Sequence, residues 1–156
     1  MLAGGRFATR STVIAVDTNI LVYAHRTDSP FHERARSAIE TLASGAPEWA
    51  IPWPCAHEFF AVVTHPRIYK TATPAETAFA QLRALGTLAN LVFIGETDEY
   101  LLHLESLALP AQTRGGAIHD ARIAAVCVSH GVAELWSADR DFSRFPQIVV
   151  RNPLIG

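Results

Sequence analysis

Thr12-Val13-Ile14-Ala15-Val16-Asp17-Thr18-Asn19 is the stretch on which the fold turns. Thr12 to Val16 is a short, β-branched, apolar run with no alternation of polar residues, which reads as a strand buried on both faces of a parallel sheet. It stops at an acid. A helix follows directly, carrying Ile20, Leu21, Tyr23 and Ala24.

The same grammar repeats along the chain. Ser29-Pro30 has the form of an N-cap followed by proline at the first helical position, opening a helix to about Ala43 before Gly45. Trp49 to Ile51 is a second strand, and Pro52 to Thr64 a buried helix stopped by Pro66. Thr73-Pro74-Ala75-Glu76 has the pattern of a capping box and opens a helix to about Ala89, with Leu91 to Ile94 as the third strand. Thr97 is expected to cap a helix through Leu109. Pro110 to Gly116 is a loop, Ala117 to His130 a helix closed by Gly131, and Glu134 to Ala138 and Ile148 to Val150 are the last strands. Strands separated by helices predict a three-layer α/β domain: a central parallel sheet of four to five strands with right-handed crossovers and helices on both faces.

Composition bounds the reading. The chain has 156 residues, 49% hydrophobic and 18% charged, which suits one globular domain, expected over residues 13–156. Residues 1–12 carry Arg6 and Arg10 without the apolar core of a signal peptide and are expected to form a flexible N-terminal arm. The formal charge of -2 leaves no global positive field, so a nucleic-acid role requires local patches. Cys55 and Cys127 stand alone in apolar surroundings, as in a reducing compartment, and neither reads as a nucleophile. The apolar stretches are far shorter than the roughly 20 residues that span a bilayer, so a soluble, cytoplasmic protein without a membrane partner is expected.

In open parallel sheets ligands bind beyond the carboxyl ends of the strands. Asp17 ends the first strand and Asp139 lies just past the fourth, so both belong to one rim. Taken singly, each is also a favoured N-cap. Glu58 sits in a helix with Phe59, Phe60, Val62 and Val63 and no other acid. Asp120 has Gly116, Ala117, Ile123, Ala124 and Cys127 as its helical neighbours, an inward stripe from which Arg122 points away. Two carboxylates about 5 Å apart repel by about 3 kcal/mol at an effective dielectric of 20. If the four acids converge, protons or a cation must neutralise them. An all-oxygen set selects a hard ion, Mg²⁺ or Mn²⁺, able to activate water for attack on phosphorus. The seven histidines contain no pair at zinc-ligand spacing, and no glycine-rich phosphate loop follows a strand. His57 and His119, each preceding a suspect acid, read as surface or supporting residues.

Val16-Asp17-Thr18-Asn19-Ile20-Leu21, His57-Glu58-Phe59, His119-Asp120-Ala121-Arg122-Ile123-Ala124-Ala125, Trp136-Ser137-Ala138-Asp139-Arg140-Asp141-Phe142 and Asn152-Pro153-Leu154 together closely resemble the PIN-domain ribonuclease toxins of the VapC type. The resemblance covers nearly everything after Val13. It implies a PIN-like fold, RNA endonuclease activity, Mg²⁺ or Mn²⁺ in an acidic pocket, a homodimer and a cognate VapB-like antitoxin. Carried over residue by residue, Asp17, Glu58, Asp120 and Asp139 match the catalytic acids. Asp17, Asp120 and Asp139 are the expected metal ligands, with Glu58 a further possible one. Asn19 and Ser137 match polar supporting positions, and Asp141 is read as a supporting or helix-starting acid.

For RNA contact the sequence offers Arg114, Arg140 and the segment His65-Pro66-Arg67-Ile68-Tyr69-Lys70. Two rival functions exist. A haloacid-dehalogenase-like phosphatase also places an Asp after the first strand, but it needs a second acid where this chain has Asn19, and a lysine, of which Lys70 is the sole example. A non-catalytic module binding RNA or protein would work without metal.

Overall fold

The computed structural model describes residues 12–156; the arm expected over residues 1–12 lies outside them apart from Thr12. Strands β1 (Ile14–Val16), β2 (Trp49–Pro52), β3 (Leu91–Ile94), β4 (Glu134–Trp136) and β5 (Val150–Arg151) form one sheet in the order β3-β2-β1-β4-β5. All four pairings are parallel, with Ala15 opposite Ala50 on one side and Leu135 on the other. Helices α1 (Thr18–His25) and α2 (His32–Ser44) connect β1 to β2, α3 (Trp53–Val63) and α4 (Ala75–Gly86) connect β2 to β3, and α5 (Tyr100–Ala108) and α6 (Ile118–Ser129) connect β3 to β4. The first two connections run one way across the sheet and the third runs back over it. Right-handed crossovers therefore place α1 to α4 on one face and α5 and α6 on the other.

The central strand is the most buried part of the molecule: Ala15 and Val16 are fully enclosed, as are Ala50 and Ile51 of β2 and Leu135 of β4. Ile20 of α1, Phe59 of α3 and Ala124, Ala125 and Val126 of α6 complete the same apolar cluster. The uninterrupted apolar character of β1 and β2 follows from this burial on two faces.

Several expected boundaries move, each because a side chain finds a tertiary partner. The second helix starts at His32, since the Ser29 hydroxyl accepts the Phe31 N–H at 3.1 Å inside a turn instead of capping a helix at Pro30. The capping box at Thr73 does not form. Thr73 Oγ1 faces His25 Nε2 at 3.1 Å and accepts from Arg26 Nη1 at 3.3 Å, tying the approach of α4 to the end of α1. That helix stops at Gly86, short of Ala89, because Asn90 must turn to serve β2: its carbonyl accepts the Trp49 N–H at 2.9 Å. Thr97 caps nothing. Its hydroxyl is buried without a partner, and α5 begins at Tyr100. A 3-10 turn at Gly115–Ala117 precedes α6, which Gly131 closes in the left-handed conformation at φ 68°. The last strand lies two residues later than expected, because Leu135 N–H bonds to Val149 and Ser137 N–H to Arg151, leaving Ile148 to fill the core.

Candidate active site

Strand order reverses between β1 and β4, and the crevice at their carboxyl ends is where parallel sheets bind ligands. Asp17 follows β1 there and is 4% exposed. Its N–H pairs with the Trp136 carbonyl at 2.9 Å, extending the ladder by one residue. Oδ1 accepts the Thr18 N–H at 2.8 Å, and the Cys55 thiol of α3 lies 3.4 Å from the same oxygen. Oδ2 accepts the Ser137 hydroxyl at 2.6 Å and the Asn19 amide at 3.3 Å. Burial pushes the carboxyl above the usual aspartate range; the Ser137, Thr18 and Cys55 hydrogen bonds oppose this rise, and the charge of Glu58 adds to it.

Asn19 and Ser137 lock the two loops together. Asn19 Nδ2 reaches Ser137 Oγ at 3.3 Å while its Oδ1 accepts the Ala138 N–H at 3.1 Å. Ser137 Oγ accepts the Asp139 N–H at 2.9 Å as it donates to Asp17. One hydroxyl therefore sets the spacing of two acids. Asp139 Oδ1 in turn accepts the Asp141 N–H at 2.8 Å, capping a 3-10 turn at Arg140–Arg144. Asp17 and Asp139 each use one oxygen as a cap, and both line the cleft.

Asp17, Glu58, Asp120 and Asp139 converge on a cleft of about 380 Å³. One carboxylate oxygen each from Asp120, Asp139 and Asp141 lies within 4.8 Å of the others. Asp120 is half-buried in the first turn of α6, and its pKa is pushed up to about 6, by burial first and then by the charges of Asp139, Asp17, Asp141 and Glu58. Among the described residues, no salt bridge reaches any of these five acids. The donor set is all oxygen and uncompensated, which fits a divalent cation.

One expectation needs correcting. Glu58 is exposed at the cleft edge, because α3 turns Cys55, Ala56 and Phe59 inward while Glu58 faces out. Arg122, two positions on from Asp120 in α6, reaches Glu96 at 3.6 Å, and Asp120, Arg122 and Glu58 line a neighbouring groove. Arg114 is exposed before the 3-10 turn at Gly115, and Arg140 lines an adjoining hollow that shares Asp139 with the acid cleft; neither arginine lines the cleft itself. The cleft wall that sequence reasoning missed is Val22, Tyr23 and Val62. Ile68 and Tyr69, within the segment offered for RNA contact, line the cleft beside them from the loop between α3 and α4. Both thiols are buried and free, and burial raises their pKa values, so they stay protonated and unreactive.

The PIN domain family model matches residues 14–148. The chain belongs to the PIN domain family, among the VapC-type proteins. Ribonuclease VapC48 of Mycobacterium tuberculosis is 31% identical over 140 residues, covering 90% of this chain and 97% of the relative. VapC ribonuclease Mb2897 of Mycobacterium bovis is 31% identical over 144 residues, covering 92% and 97%. The fold is shared with VapBC2 of Rickettsia felis bound to a promoter DNA fragment, at a TM-score of 0.66 and 19% identity over 90% of this chain and 98% of that one. It is shared too with the sarcin-ricin loop cleaving toxin VapC20 of Mycobacterium tuberculosis, at a TM-score of 0.62 and 19% identity over 87% and 98%. In this PIN domain no helix among the described residues is long and apolar enough to cross a membrane.

Proposed function

We propose that this chain is a metal-dependent endoribonuclease, the toxin of a toxin–antitoxin pair, acting in the cytoplasm as a single domain over residues 13–156. The observation that carries the reading is the convergence of Asp17, Glu58, Asp120 and Asp139 on one cleft, where no salt bridge from the described residues reaches them. Membership of a family whose curated relatives are named ribonucleases supports it.

Asp17, Asp120 and Asp139 would hold Mg²⁺ or Mn²⁺, with Glu58 at the open edge as a further ligand or as the base that orients water. When bound, such an ion supplies an activated water and charge stabilisation for phosphodiester hydrolysis. The chain's own contribution is preorganisation. Ser137 and Asn19 fix Asp17 and the backbone of Asp139, so the carboxylates hold their spacing before substrate arrives. Asp139 is the better ligand of its Asp-x-Asp pair because it lines the cleft with Asp17, whereas Asp141 is exposed and uses its N–H to hold Asp139. Arg114 and Arg140 remain candidates for phosphate contact outside the cleft. A VapB-like antitoxin would silence the site through an arginine, whose guanidinium pairs with carboxylates in bidentate geometry and so displaces metal. A homodimer of this 17.0 kDa chain is the expected free state, checked by sedimentation.

The deciding experiment is cleavage of structured RNA by the purified protein with Mg²⁺ or Mn²⁺, and its loss on adding EDTA. Metal-independent binding without cleavage would favour the non-catalytic module. The phosphatase reading is disfavoured because Asn19 is committed to Asp17, Ser137 and Ala138, and Lys70 is exposed and does not line the cleft.

A further inference from the structure

A second groove opens beside the acid cleft and shares two of its walls. Glu58 and Asp120 line both, and the groove continues past His57, His119 and Arg122. Its chemistry differs from that of the cleft: beside the shared Glu58 and Asp120 carboxylates stand two imidazoles and a guanidinium, the guanidinium 3.6 Å from Glu96. His57 is exposed and its ring is backed by Trp53, with centroids 6.1 Å apart and planes within 25°. Trp53 is itself 45% exposed and stacks on Phe93 at 4.4 Å and 17°. Three aromatic rings thus form a braced column ending at the groove. A large exposed tryptophan held flat against two rings does not fill the core; it stiffens a surface.

We propose that this groove is the subsite for the nucleotide next to the scissile phosphate, with its base stacked on the His57–Trp53 column and its phosphate met by Arg122 and His119. The inference rests on the ribonuclease reading, since the scissile phosphate is placed at the acids shared by cleft and groove. Single-stranded RNA matches both halves of the surface, because every base has a π-face to stack and every linkage a phosphate for the cationic side.

The test uses the whole chain and a single-stranded oligoribonucleotide of mixed sequence, about ten nucleotides long. Binding is followed with Ca²⁺, and cleavage is followed separately with Mg²⁺. His57→Ala and Arg122→Gln should each weaken binding and raise KM about five- to tenfold, with kcat within about twofold. His57→Phe, which keeps a ring on Trp53, should bind within about twofold of the unaltered chain. Trp49 and Trp136 are buried, so quenching of tryptophan emission by the oligonucleotide should come from Trp53 and vanish in Trp53→Phe. Should His57→Ala destabilise the fold, Arg122→Gln and the quenching carry the test. Unchanged affinity in His57→Ala and Arg122→Gln, or loss of affinity in His57→Phe equal to that in His57→Ala, overturns the stacking subsite. If the variants instead lose affinity for an arginine-rich peptide and not for RNA, the occupant is wrong. Binding and quenching as expected without Mg²⁺-dependent cleavage would leave the groove standing and remove the nuclease reading.

Discussion

Ser137 Oγ donates a 2.6 Å hydrogen bond to the buried Asp17 Oδ2 across 120 positions of sequence, and the same oxygen accepts the Asp139 N–H at 2.9 Å. The acids that follow β1 and β4 are therefore spaced by one hydroxyl. Ser137→Ala leaves that Asp17 oxygen with only the 3.3 Å bond from Asn19. Hydrogen bonds to charged groups are worth about 1.5–3 kcal/mol, so urea unfolding should show a loss of this size. RNA cleavage should fall at least tenfold, as it does when groups that orient metal ligands are removed. Stability equal to that of the unaltered chain would mean that water replaces the hydroxyl.

Asp120→Asn should abolish cleavage while leaving the metal-free melting temperature unchanged or higher, because it removes a half-buried charge and relieves repulsion from Asp139, Asp17, Asp141 and Glu58. The sign of the pH dependence follows from the raised value. Between 3.8 and about 6 the folded chain holds a proton that the unfolded chain has lost, so stability attributable to Asp120 falls as pH rises through that window. Thermal melts in EDTA should show the variant gaining on the unaltered chain from pH 4 to pH 7 and matching it below pH 4. A constant difference across this range would place the repulsion elsewhere.

Metal should stabilise the fold by mass action. At a free Mg²⁺ concentration 100 times its dissociation constant the gain is about 2.7 kcal/mol, visible as a rise in melting temperature that EDTA reverses. Asp139→Asn should lose most of that rise, and Asp141→Asn should keep it if Asp139 is the ligand. Because protons compete for Asp120, the Mg²⁺ concentration giving half the effect should increase as pH falls below about 6.

Arg26 pins the loop that carries Ile68 and Tyr69 into the cleft. Its guanidinium donates to Asp28 at 2.6 Å and to the Thr71 carbonyl at 2.8 Å, and lies 4.1 Å from the centre of the Tyr69 ring. Arg26→Ala should cost about 1 kcal/mol and speed amide hydrogen exchange over residues 65–73, with α6 unaffected. Unchanged exchange in that loop would show that it is held by its apolar contacts alone.

The sequence by itself determined the layered parallel sheet, since runs such as Val13 to Val16 and Trp49 to Ile51 are apolar throughout and only a sheet covered on both faces buries such strands. It also picked out Asp17 and Asp139 as acids of one rim, because position after a strand fixes which edge of a parallel sheet a residue occupies. Tertiary structure alone decided the rest. Whether Thr73 caps α4 or ties it to α1 depends on His25 and Arg26, 48 and 47 positions away. The same holds for Ser137, whose partner lies 120 positions off, and for the exposure of Glu58 on a helix that looked apolar all round. Local pattern records which side chains want burial or a cap. Which of several competing partners a hydroxyl, amide or guanidinium finally meets is set by the packing that brings distant segments together, and the raised pKa of Asp120 exists because that packing buries it and brings four other acids beside it.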